Sequence, residues 1–214
     1  MYRILENMEL NEKQIQILKV AEKLFAKHGF EGTSVRQIAK KADINIAMIS
    51  YYFGSKEKLL GVLMINRMAN FQVDLISIIQ QEDKSYYQRL DLIIAMMLKR
   101  IHANRRIYTI IHSESSKNNR NLTLDHYMAQ KRDNFKTLEN FIISGQEAGE
   151  FSKNVEITLL LPTLIGTYFH FHYNIEFFKE IYDLSDETKI QKYIETTLTT
   201  HLQNLIKALL SHEN

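Results

Sequence analysis

Three features of this 214-residue sequence predict an all-α protein. Apolar residues recur at three- and four-residue spacing through long stretches, the period of a helix rather than of a strand. A single Pro and seven Gly leave little punctuation for a many-turned β fold. A Ser or Asn stands just ahead of several apolar runs, where a helix needs a side-chain acceptor for its unpaired N–H groups. With 45% hydrophobic and 24% charged residues, the chain can build a sizeable core.

The first helix is predicted over Glu12–His28, where Ile15, Leu18, Ala21, Leu24 and Phe25 form a stripe. Asn11 and Gln14 have the spacing of a reciprocal cap, and Gly29 is a good terminator. A second helix starts at Ser34, again with capping-box spacing to Gln37, and buries Val35, Ile38 and Ala39. The turn Lys41-Ala42-Asp43-Ile44 follows, with Ile44 pointing inward and Asp43 tolerating a left-handed backbone. Asn45 caps a third helix, Ile46–Tyr52, anchored by Ile49 and Phe53. Ser55 caps the next helix, with Glu57 in its first turn where the helix dipole favours an acid. Longer amphipathic helices are predicted over Lys56–Ile79, Tyr86–Asn104, Arg105–Ser116, Leu122–Ala148, Val155–Tyr182 and Asp186–Ser211. Polar breaks fall at 81–84, 117–120 and 149–152.

Composition narrows the function. The absence of Cys removes disulfides, thiolate metal sites and Cys nucleophiles. The eight His include no His-x-x-x-His pair, and His170-x-His172 places its rings on different sides of a helix, so neither a metal nor a cofactor is expected. No nucleophile constellation suggests an enzyme. Residues 1–12 carry Glu6, Glu9 and Glu12 and no apolar run, unlike a signal peptide, so a cytoplasmic location is expected. Ile157–Ile175 is 19 residues without Asp, Glu, Lys or Arg, but its Thr, Pro, His and Asn favour a helix buried on two faces over a membrane span. Overall charge is only +2, yet residues 1–60 hold 10 Lys/Arg against 7 Asp/Glu. That bias is in the direction expected for a partner with phosphates.

Two short helices around a tight turn, followed by a docking helix, are the layout of a helix-turn-helix, and they point to duplex DNA. Thr33, Ser34, Tyr51, Tyr52 and Lys56 are the candidates for the DNA backbone, because hydroxyls and N–H groups at helix starts bind phosphate. Of the two tyrosines, one is expected to pack and the other to face phosphate. Lys56→Ala is expected to lower the salt slope of DNA binding by about one. Arg36, Asn45, Ile46, Ala47, Met48 and Ser50 are candidates for the groove, with Ile46 and Met48 placed to touch thymine methyls unless one packs on the first helix.

The segment from Gln14 to Leu60 resembles the tetracycline-repressor (TetR) family of bacterial one-component transcription regulators. The resemblance lies in Ala21-x-x-Leu24-Phe25, in Gly29-Phe30-x-x-Thr33-Ser34-Val35-x-x-Ile38-Ala39, and in Tyr51-Tyr52-Phe53-x-Ser55-Lys56-Glu57-x-Leu59-Leu60. Asp43 stands where the family usually has Gly, and Met48 is unusual in its place. The resemblance implies a helix-turn-helix domain over 9–56 and a helical effector-binding and dimerisation domain over 57–214. It also implies a homodimer on a palindromic operator and a small-molecule effector that releases a repressor.

Polar or aromatic residues inside apolar helices are the pocket candidates: Met96, Arg100, Tyr108, His112, Tyr127, Phe141, Phe169, His170 and Tyr173. Leu164, Tyr168, Phe171, Ile175, Phe178 and Tyr182 make a heptad-like stripe suited to a seam between subunits, matched by Ile194, Leu198, His201, Leu205 and Leu209. The alternative is an all-α small-molecule-binding protein without operator-specific DNA binding.

Overall fold

The computed structural model describes residues 10–116 and 125–212, with the side chains of 112–116 and 125–126 excepted. Every regular element among the described residues is helical: α1 (Glu12–His28), α2 (Val35–Lys41), α3 (Ile46–Phe53), α4 (Lys56–Met68), α5 (Phe71–Ile79), α6 (Tyr86–Ala103), α7 (Arg105–Ser116), α8 (Asp125–Glu147), α9 (Ile157–Tyr173), α10 (Ile175–Tyr182), α11 (Glu187–Tyr193) and α12 (Thr199–Leu210), the last two joined by a π-helical turn over Ile194–Leu198. The all-α expectation holds. The helix expected over Lys56–Ile79 is two helices, because Ala69 is extended and Asn70 takes a positive φ of 65°. Val155–Tyr182 likewise divides at Asn174. The break expected at 117–120 and the helix start at Leu122 lie outside the described residues.

The chain forms two compact units, one within Met1–Phe71 and Asn104–Asp133, the other within Gln72–Ala103 and Asn134–Asn214. The first contains the whole 9–56 segment and adds α4 and α7 to its core. That core gathers Ile17, Leu18, Ala21 and Phe25 of α1, Ile38 and Ala39 of α2, Ile49 and Phe53 of α3, Leu59, Leu60 and Leu63 of α4, and Ile107 and Ile110 of α7. Ile15 faces water, and Ile17 takes the place expected for it. Glu22, nearly buried on α1, accepts a hydrogen bond from Arg67 Nη2 at 2.5 Å and ties the start of the unit to the end of α4. Lys56–Ile79 has the length and apolarity of a membrane span, but its helix breaks near Ala69 and its first half is core.

Tyr127 and Tyr108 pack against this same core. Burial pushes the Tyr127 hydroxyl up to about 12, with the neighbouring Tyr108 adding to the shift. The raised value means that the folded state holds the proton after the unfolded chain has released it. Stability from this group is therefore complete below pH 10 and is lost as the pH rises toward 12. Urea midpoints measured across that range should fall, and Tyr127→Phe should flatten the fall. An identical decline in the variant would contradict the assignment.

The second unit packs α6 against the π turn and α12. Its core includes Ile93, Leu98, Phe141, Phe151, Tyr168, Phe171, Leu202 and Leu210. Asp91 of α6 binds Lys207 Nζ at 3.1 Å and, through its backbone oxygen, Gln203 Nε2 at 3.0 Å. The helix α9 runs through Pro162, which cannot donate to the carbonyl of Thr158.

Candidate nucleic-acid interface

The geometry of α2 and α3 follows from local hydrogen bonds. Ser34 and Gln37 form the expected capping box: Gln37 N–H donates to Ser34 Oγ at 3.2 Å, and Ser34 N–H donates to Gln37 Oε1 at 2.7 Å. Asp43 takes a φ of 50°, the left-handed turn expected of it, which lets Ile44 N–H return to Ala39 O at 3.1 Å. Gln16 Nε2 of α1 donates to Ala42 O at 2.8 Å and holds the turn from outside. Asn45 Oδ1 then accepts from Ala47 N–H at 2.9 Å and starts α3. Ser55 caps α4 through Lys58 N–H, and hydrogen bonds from the Ser55 hydroxyl and Glu57's own N–H hold the Glu57 carboxyl below its ordinary range.

With Ile49 and Phe53 buried, α3 turns Ile46, Ala47, Ser50 and Tyr51 to solvent. These positions share one face of a helix. Tyr51 is 83% exposed and Ile46 43%. Tyr52 packs on the core, as expected of one of the pair, and Tyr51 is exposed. Met48 is half-buried and stands apart from the exposed face. Arg36, Ser34 and Asn45 are exposed beside that face in sequence, as are Lys40 and Lys41 in the last turn of α2. The sequence reading of the motif did not single out these two lysines. The signal for them was two bases directly after the buried pair Ile38-Ala39.

Two backbone candidates need correction. Thr33 is 1% exposed, and its hydroxyl donates within reach of Gly29 O at 2.8 Å and Leu24 O at 3.2 Å, so it closes the end of α1 and cannot meet phosphate. Lys56 Nζ donates to Phe30 O at 2.9 Å and Thr33 O at 3.1 Å and lies 4.1 Å from the Phe30 ring centre. Two of the three N–H donors of its ammonium go to the loop between α1 and α2, which places Lys56 as a staple of that loop.

An apolar cavity of about 60 Å³ in the second unit is walled by Leu90, Ile94, Met97, Leu138, Leu161 and Leu164 among others, with Glu139 at its edge. None of the expected residues lines it. Tyr108 and Tyr127 belong to the other unit. Arg100 is held by Asp74 at 2.7 Å, Met96 is half-buried, and the side chain of His112 lies outside the described residues. Phe169 is half-buried, while His170 and Tyr173 are exposed on α9. Phe141 lines a separate polar cleft, where Arg89 lies over the Tyr86 ring at 4.1 Å.

The expected seam turns inward. Leu164, Tyr168, Phe171, Ile194 and Leu198 are buried within the unit, and Ile175, Phe178 and Leu205 are half-buried; His201 and Leu209 remain exposed. Tyr168 Oη lies 3.0 Å from His102 Nδ1, a buried pair that no spacing rule connects. On α9 and α10, Leu159, Tyr173, Phe177, Ile181 and Tyr182 are exposed apolar side chains. Of the expected stripe, Leu164, Tyr168 and Phe171 pack α9 within its own unit, and Tyr182 on α10 is exposed.

Two short helices around a tight turn, with the second of them presenting an exposed face, are the layout of a helix-turn-helix. Residues 17–63 match the family described as "Bacterial regulatory proteins, tetR family". The likeness to that family is carried by this N-terminal segment. A probable HTH-type transcriptional regulator of Bacillus subtilis, YttP, is 53% identical over 49 residues, covering 23% of this chain and 24% of YttP. The HTH-type transcriptional repressor NicS of Pseudomonas putida is 49% identical over 55 residues, 26% of each chain. The matched segment therefore spans about a quarter of each relative. The fold extends further: FadR of Bacillus subtilis, solved in complex with stearoyl-CoA, aligns over 92% of this chain and 99% of its own, with a TM-score of 0.66 and 20% identity.

Proposed function

We propose that the chain is a DNA-binding transcription regulator, a repressor released from its operator by a small molecule. The observation that carries this reading is the exposed face Ile46, Ala47, Ser50 and Tyr51, presented by a helix that is otherwise anchored in the core. The basic side chains Arg36, Lys40 and Lys41 sit on α2, the helix that crosses the phosphate backbone in this motif. In this reading the segment 9–56 binds DNA and 57–214 senses the effector and pairs two subunits in the cytoplasm. The open apolar face of Leu159, Tyr173, Phe177 and Ile181 supports pairing with a second copy. Two copies place their third helices in successive major grooves, roughly 34 Å apart, on a palindromic site.

The cavity's almost wholly apolar wall supports an effector with an apolar body, the chemistry of the acyl chain that FadR of Bacillus subtilis holds. Such a ligand acts by binding the free conformation better than the DNA-bound one, and it weakens DNA binding by that difference. No catalytic step is required. DNase footprinting over the DNA flanking the gene should show two protected half-sites about one helical turn apart, lost on adding the effector. Unprotected DNA together with tight effector binding would favour the carrier alternative.

A further inference from the structure

We propose that the exposed face of α3 selects thymine-bearing base pairs through their C5 methyl groups, so that the half-sites are rich in A·T; this rests on the DNA-binding reading above. The argument begins with what the helix lacks. No residue of Ile46–Phe53 is charged. Guanine is read most often by a bidentate Arg or Lys, and this helix offers neither.

Adenine is read by a carboxamide that donates to N7 while accepting from N6. The carboxamide at the head of α3 is Asn45, and its oxygen already accepts from Ala47 N–H at 2.9 Å. Gln37 of α2 is committed in the same way, accepting from Ser34 N–H at 2.7 Å. For either residue, pairing with adenine would load a further hydrogen bond on an oxygen already committed to a helix cap.

Beside the hydroxyls of Ser50 and Tyr51, what remains on this face is apolar surface. Ile46 stands 43% exposed in the first turn, next to exposed Ala47, and Tyr51 offers a ring 83% exposed, set edge-on to Tyr52 at 5.1 Å. The one apolar feature that distinguishes base pairs in the major groove is the thymine methyl. Charge and identity are then read by different helices. The bases of α2 hold the phosphates, and the uncharged face of α3 reads methyls.

The test starts by selecting bound duplexes from a randomised pool with the full chain. Each thymine of the recovered half-site is then replaced by deoxyuridine, which removes only the methyl. A·T-rich half-sites are expected, with affinity falling about fourfold for each contacted methyl removed. Ile46→Ala should weaken binding to the thymine duplex and leave one uracil position without effect. Half-sites with G·C at the contacted pairs, binding without sequence enrichment, or uracil duplexes bound as tightly as thymine ones would overturn the inference and leave DNA binding standing. Failure to retard any duplex at low salt would overturn the DNA-binding reading itself, and this one with it.

Discussion

Phe151→Ala should cost the second unit about 3–5 kcal/mol, the range for deleting a fully buried aromatic ring. Phe151 is completely buried, with ring centres at 5.1 Å to Tyr87, 5.8 Å to Tyr86 and 6.1 Å to Phe141. Gly145 of α8 lies against the same ring, and a Cβ there would fall 2.3 Å from Phe151 Cδ2. The turn after α8 is fixed around this contact: Glu150 and Phe151 N–H both donate to Gly145 O at 3.0 Å, and Ser152 N–H donates to Leu210 O at 2.8 Å. One ring therefore joins α6 and α8, and the residue after it ties the turn to the end of α12. Gly145→Ala approaches the same site from the other side, by overpacking, and should destabilise by about 1–3 kcal/mol. Urea unfolding measures both. A loss below about 1 kcal/mol for Phe151→Ala would show that the site collapses onto the missing ring.

Lys56→Met keeps the aliphatic stem and removes the ammonium, so it separates the two roles that a lysine at this position can have. The staple role predicts a loss of about 2 kcal/mol, from charge-assisted hydrogen bonds to Phe30 O and Thr33 O and the Phe30 ring contact. It also predicts that the salt slope of DNA binding stays where it was. Lys41→Met should do the reverse, lowering the slope by about 0.9 with little change in stability. A reduced slope and an unchanged melting temperature for Lys56→Met would return the residue to the phosphate backbone.

Much of the DNA-binding motif was legible in the sequence because its determinants are local. The cap pairs Asn11–Gln14 and Ser34–Gln37, the left-handed Asp43 and the Asn45 cap all form as their spacing predicts. Thr33 and Lys56 were misread because their partners are the backbone carbonyls of Leu24, Gly29 and Phe30, and carbonyls leave no trace in a residue pattern. In the second unit, Leu164, Tyr168 and Phe171 have the spacing of a seam whichever body they face. The cavity was invisible for a similar reason. Leu90, Ile94 and Leu161 at its wall have the same composition as a filled core, and the difference is a gap between helices.

The central claim is that this chain binds duplex DNA through α2 and α3, and the salt dependence of that binding tests it most directly. Fluorescence anisotropy of a labelled duplex should show log K falling linearly with log salt. Arg36, Lys40 and Lys41 would set a slope of about −2.7 for one subunit and about −5 for a pair. Binding that is absent at low salt, or that does not change as salt is raised, would contradict the account.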